Sequence, residues 1–306
     1  MRHVLGIDAG GTKTVGLLAD QNGKVLAEAR TGGANLQTHG ELQVEKVFHD
    51  LIEQLSAKLT GDRRIDAVGL GIAGVDRPRD ETVVRGILRR LGHRETVRVV
   101  NDAVIALVAG APERHGIVIL AGTGSICYGL DAAGRSARAG GYGYLLADEG
   151  SGYWLGQEAL RAVVKSTDGR GPKTQLVERV LGSLGIASVD ELLPLVYEQE
   201  MPKYKIAALA SIVEAARAAG DAVAGRIVEG AASELALGAR SVARQLELGE
   251  QPFPLVLAGG VFRACPTLPA LLEQRLEMPR AQLRPLLVEP AMGAVALAID
   301  LLRTAG

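Results

Sequence analysis

The chain has 306 residues and 47% hydrophobic content, enough for one large domain or two ordinary ones with a real core. Its 34 basic residues balance 35 acidic ones with no run of like charge, so neither nucleic acid nor an anionic membrane is indicated as a partner, and small molecules are expected instead. Cys127 and Cys265 are too few for a disulfide framework or a CxxC zinc site, no stretch reaches the roughly twenty apolar residues of a membrane span, and the N-terminus has no signal-peptide layout; a reducing, cytoplasmic setting is the expectation.

The chain opens on an apolar run that enters Gly6-Ile-Asp-Ala-Gly-Gly-Thr-Lys-Thr14 and leaves through Val15-Gly-Leu-Leu-Ala19. Two strand-like segments flanking Gly10 and Gly11 predict a tight hairpin, with the glycines taking positive φ. Bare backbone N–H groups there, ringed by Thr12, Lys13 and Thr14 and accompanied by the Asp8 carboxylate, suit a phosphate chain with a hard divalent cation. An ordinary glycine hairpin with a solvated lysine is the other reading of the same residues. A P-loop is excluded, because Thr12 separates Gly11 from Lys13 and a strand follows where that motif needs a helix.

A turn at Asp20-Gln-Asn-Gly23 leads into a third strand, Lys24 to Ala29, giving an antiparallel meander. Thr38 with Glu41 fits a capping box, ahead of apolar residues Val44, Val47, Phe48, Leu51, Ile52, Leu55 and Leu59 at helical spacing before Gly61. Ile65 to Ile72 and Val97 to Val100 are further strands. The GxGxxG at Gly69 to Gly74 is followed by Val75-Asp-Arg-Pro78, which opposes an immediate helix, so it reads as a buried strand ending in a loop. A meander followed by strands alternating with helices implies an α/β fold with a mixed, helix-covered sheet.

The opening pattern then recurs: Gly116 to Ser125 runs from an apolar strand into a Gly-Thr-Gly turn, and Ile126 to Leu130 continues as a strand towards Asp131-Ala-Ala-Gly134. This points to a duplicated, two-lobed fold. In the helix-rich second half, Asp221 can cap a long helix through Ile227, Leu235 and Val242, where Gly225, Gly230 and Gly238 suggest close packing or a ligand's approach. Leu255 to Val261 is a strand ending in paired glycines, and Pro290 opens a final helix over Ala291 to Leu302. Asp102, after the Val97 strand, is placed either to cap the helix that follows or to act as a base at a sheet edge where ligands collect; the residues alone favour the cap. Asp148 and Glu149 read either as paired acceptors for neighbouring hydroxyls or as helix N-terminal charge. Trp154 and Cys127 read as core, and none of His3, His39, His49, His93 and His115 receives a role.

Five segments together carry a resemblance: GIDAGGTKT at 6–14, VVNDA at 99–103, AGTGS at 121–125, GGYGYLLADEGSGYWLG at 140–156 and LAGGV at 257–261. In order and spacing the chain resembles the sugar kinase, actin and Hsp70 ATPase superfamily, and within it the N-acetylglucosamine kinase and BadF/BadG ATPase-like group. The resemblance implies two RNase H-like lobes with mixed five-stranded sheets, one over 1–112 closed by 289–306 and one over 113–288, with ATP in a cleft between them, Mg²⁺ and a homodimer. It assigns Gly10, Gly11, Thr12, Lys13, Gly122, Thr123, Gly124 and Ser125 to the ATP phosphates, Gly259 and Gly260 to adenosine, and Asp8 to Mg²⁺ through water. Asp102 becomes the catalytic base, and Asn35, Gly74, Asp102, Thr123, Tyr142, Asp148 and Glu149 line the sugar pocket. Tyr142 stands where relatives carry tryptophan and Ala147 where they carry glycine, which bears on the choice of sugar. The implied reaction is phosphorylation of the 6-hydroxyl of an amino sugar, N-acetylglucosamine first, with glucosamine, glucose and N-acetylmuramic acid as alternatives. A partner-activating ATPase holding an iron–sulfur cluster lacks comparable cysteines here, and a DNA-binding repressor lacks a helix-turn-helix ahead of the first strand.

Overall fold

The computed structural model describes residues 2–59, 64–75, 77–93, 96–198 and 201–304. The chain divides into two compact units, Met1–Gly116 with Arg284–Gly306, and Ile117–Leu283. In the first, β1 (His3–Ala9), β2 (Lys13–Asp20), β3 (Val25–Gly32), β4 (Ala67–Ile72) and β5 (Val97–Asn101) form a sheet in the order β3-β2-β1-β4-β5. The meander β1, β2, β3 is antiparallel, whereas β1, β4 and β5 run parallel, so the sheet is mixed. The second sheet contains β6 (Gly116–Ala121), β7 (Ser125–Leu130), β8 (Ser136–Gly140), β9 (Phe253–Ala258) and β10 (Ala281–Pro285), in the order β10-β9-β6-β7-β8. Taken from its other edge this is the same arrangement, β6 to β10 standing where β1 to β5 stand. The sequence repeat is therefore a repeat of topology.

The first sheet is covered on both faces. Along the Leu36–Ser56 helix, Val44, Val47, Phe48, Leu51 and Leu55 are buried against Leu5, Ile7 and Leu18, as the apolar spacing predicts. Each such aliphatic burial contributes about 1.5–3 kcal/mol. The other face receives the Ala291–Thr304 helix, whose Ala291, Val295 and Ala298 pack on Val4, Val15, Leu17, Ala19 and Ala67. A Cβ on Gly6 would lie 2.5 Å from the Val295 nitrogen, and one on Gly69 would overlap the Ala294 carbonyl, so bare strand backbone is what lets this helix lie so close.

Two expectations for the first unit change. The Leu36–Ser56 helix is capped by Asn35, not by a Thr38–Glu41 box: Asn35 Oδ1 accepts from the N–H groups of Gln37 at 2.9 Å and Thr38 at 3.1 Å. Gly40, at φ 74° and ψ 167°, then kinks the helix, and Glu41 pairs instead with Arg90. The helix ends at Ser56, while the predicted stop at Gly61 lies outside the described residues. β4 begins at Ala67 rather than Ile65.

In the second unit Asp221 caps the Ala222–Gln245 helix as expected, accepting from Val223 and Ala224 N–H at 2.9 Å each. Of its three internal glycines, Gly230 makes room for the Trp154 ring and Gly238 for the Cys127 sulfur, so the close approach is core packing at both; Gly225 faces open space. Cys127 and Cys265 are buried, and burial pushes both thiols up to about 12. β9 stops at Ala258 because Gly259 turns the chain at φ 106°, and Val261 starts a short helix instead of ending the strand. No single described helix is long and apolar enough to cross a membrane.

Candidate functional site

In the first unit the parallel strands fix the positions of the predicted residues. Ala9 is level with Ile72, and Ile72 with Asn101, so the ends of β1, β4 and β5 share one edge of the sheet. Asp8, the loop at Gly74 and Asp102 therefore emerge together, at the carboxyl ends of parallel strands where α/β sheets collect ligands.

The hairpin at Gly10 is closed by a 2.9 Å bond from Gly10 N–H to the Lys13 carbonyl. Neither Gly10 nor Gly11 takes the positive φ expected of it. A Cβ on Gly11 would meet nothing within 4 Å, so that side of the turn is open, whereas behind the turn Gly33 packs so tightly that its own Cβ would overlap the Gly11 carbonyl. The Gly10 carbonyl accepts from Ala34 N–H at 2.9 Å, whereas the N–H groups of Gly11 and Thr12 donate to no described residue. A turn fastened from behind through its Gly10 carbonyl, with two successive N–H groups unused, is an anion-binding concavity.

Charge gathers beside that turn. Lys13 Nζ lies 3.7 Å from Glu289, which also accepts from Arg30 at 2.7 Å. Burial alone would raise the Glu289 carboxyl, yet Arg30 and Lys13 together hold it below the usual carboxylate range. The Asp8 carboxyl is pushed up to about 6, chiefly by burial, with Lys13 opposing and Glu289 adding. No described residue donates a hydrogen bond to it. A half-buried, donor-free carboxylate beside a bare turn fits a hydrated Mg²⁺, which keeps most of its waters and takes few protein ligands. The described residues contain no group of three or more metal-ligating side chains.

Asp102 is the first residue of the Asp102–Gly110 helix and is half-buried. The cap predicted for it belongs to Asn101, whose Oδ1 accepts from Ala103 N–H at 2.9 Å. Asn35 and Gly74 are neighbours: a Cβ on Gly74 would come within 3.0 Å of Asn35 Oδ1. That oxygen is committed to the helix cap, so Asn35 presents its amide N–H groups. Gln37, missed in the sequence, bridges this corner by donating to the Gly74 carbonyl at 3.1 Å and to Asp80 at 3.2 Å.

The second unit repeats the turn with different fastening. Gly122 N–H bonds the Gly124 carbonyl at 2.8 Å, the Gly122 and Thr123 carbonyls accept from Gly152 and Tyr153 N–H at 2.8 and 3.2 Å, and the N–H groups of Thr123 and Gly124 are unused by described residues. The paired glycines after β9 are adjacent, since a Cβ on Gly259 would overlap the Ala121 carbonyl. Asp148 and Glu149 close onto the same turn: Ser125 N–H donates to Asp148 Oδ1 at 3.3 Å, Ser125 Oγ donates to the Glu149 carbonyl at 2.7 Å, and a Cβ on Gly124 would sit 2.8 Å from Asp148 Oδ2. Neither carboxylate lies in the first turn of the Gly152–Thr167 helix, which Ser151 caps by accepting from Trp154 N–H at 3.1 Å. Burial raises the Asp148 carboxyl, against the Ser125 N–H and the Lys203 charge, with Glu149 adding to the rise. Asp148 also holds φ at 69°, in a run where Gly140, Gly141, Gly143 and Gly150 are left-handed too. Such backbone, sparsely populated outside glycine, concentrates at functional sites.

Tyr142 is 61% exposed, with the Arg138 guanidinium 4.5 Å above its ring. Tyr144 meets Tyr153 edge to face at 5.1 Å and carries the Lys203 ammonium 3.8 Å from its ring centroid. Arg138, Tyr144, Lys203 and Glu289 escaped the sequence reading; only the Tyr142-Gly-Tyr144 spacing hinted at an aromatic platform.

The model of the BadF/BadG/BcrA/BcrD ATPase family matches residues 5–298. An N-acetylmuramic acid/N-acetylglucosamine kinase of Clostridium acetobutylicum is 40% identical over 86% of each chain, and an N-acetyl-D-glucosamine kinase of Dictyostelium discoideum is 33% identical over 97% of each. A crystal structure from Chromobacterium violaceum, provisionally assigned as an N-acetylglucosamine kinase, superposes with a TM-score of 0.76 at 26% identity, covering 97% of this chain and 99% of its own.

Proposed function

The chain belongs to the BadF/BadG/BcrA/BcrD ATPase family, and from that premise we propose that it is an ATP-dependent kinase that phosphorylates the 6-hydroxyl of an amino sugar, N-acetylglucosamine first. The observation that carries this reading is the pair of glycine turns in which the Gly10, Gly122 and Thr123 carbonyls are engaged by backbone while the N–H groups of Gly11, Thr12, Thr123 and Gly124 stay unused by described residues. Phosphoryl transfer asks a protein chiefly for positioning and for neutralising charge, and these donors supply both.

In this assignment Gly10, Gly11, Thr12 and Lys13, with Gly122, Thr123, Gly124 and Ser125, bind the phosphates of ATP, and the turn at Gly259 and Gly260, packed against Ala121, borders adenosine. Asp8 would hold Mg²⁺ through water; when bound, the ion neutralises charge on the phosphate oxygens. Asn35, Gly74, Thr123, Tyr142, Asp148 and Glu149 bind the sugar, the carboxylates accepting from its hydroxyls. Asp102 accepts the proton of the 6-hydroxyl as its oxygen attacks the γ-phosphorus and the bond to ADP breaks. The enzyme acts in the cytoplasm, as a homodimer.

The alternative of an ATPase that activates a redox partner requires accessible thiolates for a cluster. Cys127 and Cys265 are buried, high in pKa, and placed against the Leu235 and Ala210 carbonyls, which disfavours it. The test is a coupled ADP-release screen over hexoses and amino sugars. Sugar-dependent ADP release that is strongest with N-acetylglucosamine is the expected result; basal ATP hydrolysis unaffected by every sugar would refute the kinase.

A further inference from the structure

Lys203 opens the Lys203–Ala208 helix, half-buried, with its ammonium 3.8 Å from the centroid of Tyr144, itself braced edge to face by Tyr153. This cation rests against one aromatic face, yet no described carboxylate comes within ion-pair distance of it and no described residue accepts its hydrogen bonds. Arg161, on the neighbouring Gly152–Thr167 helix, is by contrast paired with Glu158. A half-buried ammonium loses hydration, which a ring face restores only in part. Burial accordingly lowers the Lys203 pKa, with the Asp148 charge opposing. Because Tyr144 belongs to the Tyr142 to Glu149 loop, its contact with the ammonium sets Lys203 against that loop, where Leu145 and Leu146 are each 80% exposed and form an open margin.

A neutral amino sugar offers hydroxyls and an amide, which acceptor carboxylates serve. It offers nothing that calls for a cation. N-Acetylmuramic acid is the same sugar carrying a lactyl ether, hence one carboxylate, and a relative at 40% identity is named for using both. We propose that the Lys203 ammonium is the subsite for an anionic substituent on the sugar, so that this chain phosphorylates the carboxylate-bearing sugar as well as the unsubstituted one. The inference rests on reading Asp148 and Glu149 as the sugar-binding carboxylates. Lys203 is a specificity residue and takes no part in the transfer itself.

The experiment measures kcat/KM for N-acetylmuramic acid and N-acetylglucosamine with the wild type, Lys203→Met and Lys203→Arg. The wild type uses both sugars. Lys203→Met lowers the ratio of the muramic to the glucosamine value by about tenfold or more, as loss of a close charge pair does, while Lys203→Arg keeps it within about threefold. In the wild type alone, added salt raises KM for the muramic sugar and leaves that for N-acetylglucosamine nearly flat, a readout independent of how the variants fold. A wild type that phosphorylates N-acetylglucosamine but not N-acetylmuramic acid overturns the proposal. So does an equal loss on both sugars with a displaced acid limb in the pH profile, which would mean that Lys203 only tunes Asp148. Activity on neither sugar removes the kinase reading, and the subsite with it.

Discussion

The two glycine turns stand at the same place in two sheets of the same strand order, yet they are built from different chemistry. The turn after β1 is edged with charge: a half-buried Asp8, an exposed Lys13, and Glu289 brought in from the far end of the chain. The turn after β6 has no ion pair of its own among the described residues and is stitched to the start of the following helix through two carbonyls and to Asp148 through Ser125. Duplication thus supplied two equivalent backbone anion cradles, and later elements specialised them, one for charge and one for rigid packing beside the Tyr142 to Glu149 loop. The strand order is common property; the chemistry belongs to what each sheet's loops and helices bring to it.

The largest effect that tests this division falls in the first unit. Asp102→Asn is expected to lower kcat by about a hundred- to ten-thousandfold, the range of general-base removal, with KM for ATP and sugar within a few-fold. Asn101→Ala, one residue away, is expected to cost about 1 kcal/mol of stability as a lost helix cap while turnover persists. Steady-state kinetics and thermal melts of the two variants distinguish chemistry from capping, and near wild-type turnover in Asp102→Asn would remove that residue from the mechanism.

Next in size are the glycines. A methyl group added at Gly11 or Gly122 would have nothing within 4 Å, and both residues keep ordinary φ, so alanine there leaves the fold within about 1 kcal/mol while KM for ATP rises about tenfold as the methyl meets the phosphates. Gly259→Ala, at φ 106° and against the Ala121 carbonyl, instead destabilises the second unit itself. Equal melting temperatures and equal ATP affinities across the three variants would erase the distinction between space kept for a ligand and space used for packing.

The smallest effect concerns Asp8. Its carboxyl is raised from 3.8 to about 6, so between those values the folded protein binds the proton more tightly than the unfolded chain does. Stability from this group is therefore fully present below pH 3.8 and is lost as pH rises to about 6. Asp8→Asn should melt a few degrees above the wild type at about pH 7 to 8, and the gap should close towards about pH 4. Scanning calorimetry across that range checks the sign, and a gap that widens on acidification would contradict it.

Much of this was legible in the sequence because the signals are local. Both turns, the meander, the covering helix with Val44 to Leu55 and the Asp221 cap follow from spacing and turn chemistry among residues close in the chain. The misses come from competition between neighbouring polar residues. Asn35 outranked Thr38 as a cap and Asn101 outranked Asp102, in each case because an asparagine earlier in the chain already reached the free N–H groups. Glu289, Lys203 and Arg138 were illegible for another reason: each meets its partner through tertiary packing, and a single lysine or glutamate in a sequence does not declare which ring or carboxylate it will find.

The order in which the first unit is completed bears on how the protein is made. Its sheet is left open on the face of Gly6, Val15 and Ala67 until the Ala291–Thr304 helix arrives, yet every residue of the second unit is translated before that helix. The half that leaves the ribosome first is thus the last to be finished. A nascent chain carries an oily, unshielded surface through most of its synthesis, which makes this face a natural client for chaperones and the point at which premature termination would be felt most.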